Sequence, residues 1–153
     1  MPIQLFRWLA ILFLTVAVIP AGAHLAALPN KIGLGQTDYF IVQQIYAGWA
    51  LFGIVEFGAI LSTLVFALLL MRKGEPYGYA LAAFLLVLAN LMIFFGWTFP
   101  ANKATQNWTV APANWETLRL QWEYSHAINA VLVLAAFACL MIAVSQHLSR
   151  GPA

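Results

Sequence analysis

Charged side chains are sparse along the chain and separate four long stretches in which apolar residues dominate. A charge inside hydrocarbon costs about 2.5–3.5 kcal/mol on insertion scales, so the stretches between charges mark the segments that can cross a bilayer. They cover residues 8–28, 40–71, 77–100 and 124–148. Each matches or exceeds the roughly 20 residues that a helix needs to span the hydrocarbon core. The pattern predicts one all-α domain over residues 1–153, a four-helix transmembrane bundle.

The connections between the stretches indicate how the helices are arranged. Residues 72–76, Arg-Lys-Gly-Glu-Pro, put two cations in a last helical turn, a glycine after it and a proline at the start of the next helix. The second and third spans are therefore predicted to be antiparallel neighbours. Residues 37–38, Thr-Asp, favour a helix start before the second span, and Asn114 is a candidate N-cap for the fourth. We expect that helix to begin at Trp115, outside the membrane, and to run to about Ser149.

Lysine and arginine counts predict the orientation. One side of the bundle carries Arg7, Arg72, Lys73 and Arg150, and the other carries Lys31, Lys103 and Arg119. The positive-inside rule then places both termini in the cytoplasm and the extended fourth helix on the outer side of a bacterial inner membrane. Residues 21–23, Ala-Gly-Ala, resemble a signal-peptide cleavage site, but we expect the first stretch to remain as span one.

Composition agrees with a membrane protein and excludes some functions. Of 153 residues, 63% are hydrophobic and 8% are charged, whereas soluble domains average about a quarter charged. Membrane lipid is therefore the expected surrounding. Seven basic and five acidic side chains are too few for a nucleic-acid surface. The single cysteine, Cys139, excludes an internal disulfide.

A polar stripe lies on the predicted fourth helix. Arg119, Trp122, Glu123, His126 and Asn129 follow helical spacing and so share one face. Arg119 and Glu123 are expected to pair across one turn as an interfacial salt bridge. Glu123 and His126 stand at the i, i+3 spacing by which a carboxylate and an imidazole can share a proton or a metal.

Helix rise brings other polar groups to the same level. At about 1.5 Å per residue, His24 on the first span and His126 on the fourth both fall toward the outer boundary of the bilayer. Gln44 and Trp49, in the first turns of the second span, belong at that depth too. We expect these side chains to line one pocket that opens outward.

Two further polar residues fall near the centre of the bilayer. Glu56 on the second span and Asn90 on the third are expected to meet, because those spans are predicted to be neighbours. The carboxyl is either functional or a protonated group that joins the two helices by a hydrogen bond. A zinc site needs three or four ligands, and His24, Glu123 and His126 are the only plausible set. We therefore expect no bound metal. His147 is expected to be a solvated helix end.

The segments Pro100-Ala101-Asn102 and 115–126, Trp-Glu-Thr-Leu-Arg-Leu-Gln-Trp-Glu-Tyr-Ser-His, resemble the signature of the anthrone oxygenase-like family of small four-span membrane proteins. The resemblance implies oxidation of a polyketide anthrone by O2 without a metal or flavin cofactor. It implies that His126 is the general base and that Arg119 with Asn102 stabilises the resulting anion. Trp115 and Trp122 would form flat apolar walls for the substrate.

Three functions therefore compete. The first is a cofactor-independent oxygenase or related oxidoreductase acting on a lipophilic aromatic small molecule. The second is a non-catalytic accessory subunit of a larger membrane complex, which the small size and aromatic-rich helices favour. The third is a small transporter, for which the intramembrane pair of Glu56 and Asn90 is the only argument.

Overall fold

The computed structural model describes residues 2–150, and every regular element in that range is helical. The helices are α1 (Pro2–Lys31), α2 (Gln36–Gln43), α3 (Phe52–Arg72), α4 (Gly78–Ile93), α5 (Phe99–Ala104) and α6 (Trp115–Leu148). Four helical runs are long and apolar enough to cross a membrane: Pro2–Lys31, Trp49–Arg72, Gly78–Ala104 and Trp115–Leu148. The fold is therefore that of a helical, multi-pass membrane protein.

The first and last long helices, α1 and α6, extend beyond the apolar stretches that predicted them. α1 continues past residue 28 to include Lys31, although Pro20 and Pro29 lie within it. α6 begins at Trp115, as the sequence predicted, and runs without a break to Leu148. Asn114 occupies the N-cap position, but its side chain makes no capping hydrogen bond.

The predicted second span is not one helix over residues 40–71. α2 ends at Gln43, and two short 3₁₀ turns, Gln44–Tyr46 and Trp49–Leu51, separate it from α3. Gly48 lies between these turns with a φ of +84°. This is the left-handed region of backbone conformation, which residues with a Cβ rarely adopt. A helix does start near residues 37–38, since α2 begins at Gln36 and carries Asp38 in its first turn, but Gly35 is the N-cap and no side chain caps the helix.

The third span passes through Pro100 instead of ending there. A π-helical turn, Phe94–Thr98, joins α4 to α5, and the helix continues to Ala104. Proline has no N–H and its ring crowds the carbonyl one turn earlier, here that of Gly96. A wider turn relieves this crowding, and π turns are common near functional sites.

Small residues hold the bundle core together. α1 packs on α3 and α6, while α4 packs on α3 and α6 from the other side. Fully buried alanines lie on all four long helices, at Ala10, Ala59, Ala83 and Ala136. In lipid, where apolar burial between helices gains little, small side chains favour association by letting backbones approach closely.

Gly58 on α3 is one such point of close approach, and we expect Gly58→Ala to destabilise the bundle. A Cβ there would lie 2.5 Å from the ring of Phe13 on α1. Overpacking of this kind costs about 1–3 kcal/mol. The expected result is a lower Tm in detergent, partly restored by Phe13→Leu.

Gly53→Ala is the matched control, since nothing lies within 4 Å of a Cβ at Gly53 on the same helix. Its Tm should stay the same or rise. Equal melting temperatures for the two alanine variants would contradict a tight α1–α3 contact at Gly58.

Candidate functional site

Two histidines lie stacked at the centre of the candidate site. His24 on α1 and His126 on α6 have ring centroids 3.9 Å apart and ring planes 17° apart. The expected proximity of these two residues is therefore confirmed. Aromatic rings surround His24 on its other sides, with centroids at 4.4 Å for Tyr46, 5.0 Å for Trp122 and 5.4 Å for Trp49.

A cavity of about 490 Å³ opens beside this stack. Five of the residues predicted for the site or its surroundings line it: Asn102, Trp122, His126, Gln44 and Trp49. His24, Trp115, Arg119 and Glu123 are not among the lining residues. His126 is thus the histidine that faces the cavity, and His24 supports it from behind.

Asn102 is held in place by two indoles. Its Oδ1 accepts a hydrogen bond from Trp122 Nε1 at 2.8 Å and another from Trp108 Nε1 at 3.2 Å. With the oxygen occupied, the amide NH₂ is the group that remains for a ligand. Trp108 is buried and lines the cavity, a role that the sequence did not predict.

An unusual backbone segment brings Trp108 into the site. Gln106, Asn107 and Trp108 have consecutive positive φ angles of 48°, 56° and 63°. Such conformations cost of order 1 kcal/mol or more for residues with side chains. Two hydrogen bonds fix them, from Asn107 N to Asn102 O at 2.7 Å and from Trp108 N to Thr105 Oγ1 at 3.1 Å.

Glu123 does not pair with Arg119, so that expectation is wrong. Its Oε1 lies 3.1 Å from Lys31 Nζ, and both side chains are buried. Arg119 instead donates to the backbone oxygen of Leu34 at 2.5 Å and lies over the ring of Trp115, 4.8 Å from its centroid. Glu123 pairs with Lys31 because α1 extends far enough to place the Lys31 amine inside the bundle. Arg119 bonds instead to Leu34, in the loop that follows α1.

Two further donors complete the environment of Glu123. Tyr39 OH donates to Oε1 at 2.9 Å, and Gln43 Nε2 donates to the same oxygen at 3.4 Å. Burial, followed by the nearby charge of Glu123, raises the pKa of Tyr39 above its ordinary value. Tyr39 therefore stays protonated and remains a donor.

Lys31, Tyr39 and Gln43 were not assigned to the site by sequence reasoning. Lys31 was used only as a loop charge for orientation, but it follows His24 by seven residues and so lies on the same face of a continued helix. Allowing α1 to extend by one turn would have found it.

The remaining polar predictions lie away from the cavity. Asn90 Nδ2 donates to Glu56 Oε1 at 2.7 Å, which confirms that these two residues meet. Asn129 is buried, and its Oδ1 has no hydrogen-bond partner within residues 2–150. His147 is not solvated as expected: its Nδ1 lies 2.5 Å from Glu75 Oε2 and its side chain is 13% exposed. Within residues 2–150, no three His, Cys, Asp or Glu side chains are grouped so as to hold a metal ion.

Comparison with protein-family models, with curated proteins and with solved structures finds no match for this chain. The resemblance to the anthrone oxygenase-like family stays a prediction from the segments that carry it.

We expect Lys31 and Glu123 to be energetically coupled. Lys31→Met leaves a buried carboxylate without its cation, which typically costs about 3–5 kcal/mol. Glu123→Gln should also lower Tm, but the double variant should lose less than the sum of the two single losses. Thermal unfolding in detergent measures all three.

The same cycle with Arg119→Met in place of Lys31→Met is the control. Since Arg119 bonds to Leu34 and not to Glu123, its coupling to Glu123→Gln should be smaller than that of Lys31. Coupling to Arg119 and none to Lys31 would contradict the assigned ion pair.

Proposed function

We propose that the protein is a cofactor-independent oxidoreductase that uses O2 to oxidise a lipophilic, anthrone-like aromatic in the cavity beside His126. The observation that carries this proposal is an imidazole facing a cavity whose wall includes five aromatic side chains: Tyr46, Trp49, Phe94, Trp108 and Trp122. Within residues 2–150, the His126 ring is stacked on His24 and lies edge-on to Trp122, and its nitrogens make no hydrogen bond. Its nitrogens are therefore open to a ligand, as a general base requires.

The cavity suits a polycyclic substrate. Its volume of about 490 Å³ falls within the usual range of ligand pockets. Trp49, Trp108 and Trp122 supply flat apolar surfaces, while Gln44 and Asn102 supply polar groups at its margin. Trp115 lies outside the cavity. In this proposal Trp108 takes the role expected of Trp115, as a flat apolar wall for the substrate.

The proposed reaction converts the ring methylene of the substrate into a carbonyl. His126 removes one methylene proton, and the resulting carbanion passes an electron to O2. The carbon radical and superoxide combine to a peroxide anion, which takes the proton back from His126. The hydroperoxide then loses water and leaves the ketone, so that one O2 yields one carbonyl oxygen and one water molecule. Neutral imidazole is a suitable base near pH 7.

We further propose that neighbouring helices are antiparallel, with both termini in the cytoplasm of a bacterial cell. Two contacts support the helix directions. Lys31 at the end of α1 meets Glu123 near the start of α6, and Glu75 between α3 and α4 meets His147 near the end of α6. Lysine and arginine counts support the orientation.

We expect His126→Ala to abolish O2 consumption by purified protein supplied with an anthrone. Removing a general base typically lowers the rate by 10²–10⁴-fold. An oxygen electrode and the visible absorption of the quinone product give two independent readouts.

His147→Gln is the control, because His147 contacts Glu75 at the opposite end of α6 and does not line the cavity. Its turnover should match the native protein. If His126→Ala turned over the anthrone as fast as the native protein, His126 could not be the general base. A protein that shows no turnover and co-purifies from its native membrane with a stoichiometric partner would favour the accessory-subunit hypothesis instead.

A further inference from the structure

We propose that Tyr46, polarised by Lys31, forms a subsite that binds the phenolic oxygen of the ligand as its anion. The cavity would thus select hydroxyaromatic compounds whose hydroxyl can ionise. This inference deepens the proposed function, on which it rests for the ligand's aromatic class, and assigns to Lys31 and Tyr46 the anion-stabilising role that the family resemblance gave to Arg119.

The hydrogen bond between Lys31 and Tyr46 sets the direction of the subsite. Lys31 Nζ lies 2.9 Å from Tyr46 OH. An ammonium has three donors and no acceptor, so the tyrosine oxygen must accept this bond. The phenolic proton of Tyr46 is then left for another acceptor, and residues 2–150 provide none. Because Tyr46 lines the cavity, that acceptor can belong to a ligand.

The charge behind Tyr46 is held in a fixed position. Lys31 is 3% exposed, and its Nζ also pairs with Glu123 Oε1 at 3.1 Å. Tyr39 and Gln43 donate to that same carboxylate oxygen and hold it in place. The Lys31 Nζ further lies 5.0 Å from the ring centroid of Trp122. Lys31 does not line the cavity, so it is a positioning residue that acts through Tyr46.

This arrangement favours an anionic oxygen over a neutral one. A hydroxyl that accepts a bond from a cation becomes a stronger donor, and bonds to charged acceptors are roughly twice as strong as neutral ones. Donors fixed before the ligand arrives also need no reorganisation.

The base and the anion subsite lie close together. Tyr46 and His126 both lie against the His24 ring, with centroid distances of 4.4 Å and 3.9 Å. Arg119, by contrast, donates to Leu34 and lies outside the cavity. A single hydroxyaromatic ligand could therefore meet Tyr46 at its oxygen and His126 at a neighbouring proton.

The test uses a hydroxyanthraquinone whose phenolate absorbs at a longer wavelength than the phenol, together with its methyl ether. Both are titrated into the purified full-length protein in detergent, without any turnover. In the native protein, we expect bound dye to ionise at a pH about one unit lower than in protein-free micelles, a roughly tenfold increase in phenolate. The phenol should also bind about tenfold more tightly than the ether, as judged by tryptophan quenching.

Tyr46→Phe keeps the aromatic ring and the Lys31–Glu123 pair, so it should fold and lose both effects. Tyr124→Phe is the matched control, because Tyr124 is 54% exposed on α6, and it should behave like the native protein. The double variant Lys31→Gln with Glu123→Gln, which leaves neither charge of the buried pair without its partner, should reduce the ionisation shift while leaving binding of the ether unchanged. That result separates a charge acting through Tyr46 from a loss of cavity shape.

Either of two results in the binding experiment would overturn the subsite. One is an unchanged ionisation shift in Tyr46→Phe, and the other is equal affinity of the native protein for the phenol and its ether. Phenolate binding that depends on Tyr46, without O2 consumption, would support the subsite and reject the oxidase. O2 consumption that is unaffected by Tyr46→Phe would support the oxidase and reject the subsite.

Discussion

A buried ammonium and a buried carboxylate meet where α1 ends and α6 begins. Lys31 and Glu123 are both almost fully removed from solvent, and taking each charge out of water costs several kcal/mol. The pair is tolerated because further groups bond to it: Tyr39 and Gln43 donate to the carboxylate, and Tyr46 accepts from the ammonium. One interaction therefore ties α1, α2 and α6 together and fixes the orientation of Tyr46 at the cavity wall.

The cavity lies where the helices depart from regularity. The break at Gly48 allows Tyr46 and Trp49 to approach the histidine pair from outside the α3 helix. The left-handed segment at residues 106–108 brings Trp108 against Asn102 on the opposite side. Both irregular segments lie just outside the membrane-spanning helices, and both contribute residues to the cavity wall.

Apolar spacing predicted the four spans and the start of α6 at Trp115, and depth along the helices predicted that His24 and His126 would meet. The partners of the polar groups were harder to predict. Arg119 and Glu123 have the spacing of an ion pair on one helix. Glu123 nevertheless pairs with Lys31 of α1, and Arg119 bonds to Leu34. Spacing along the sequence identifies possible partners only on the same helix. A buried carboxylate pairs with whichever donor the packing of the helices places nearest to it.

Hydrocarbon penalises each charge independently, so the number and approximate limits of the spans follow from residue order alone. The helix ends, the break at Gly48 and the π turn before Pro100 depend on which backbone conformations the neighbouring helices can accommodate. Those local departures decided that His126 faces the cavity, that Lys31 lies inside the bundle and that Arg119 lies outside the cavity. Side chains far apart in sequence compete for the same buried space, and only the packed structure resolves that competition.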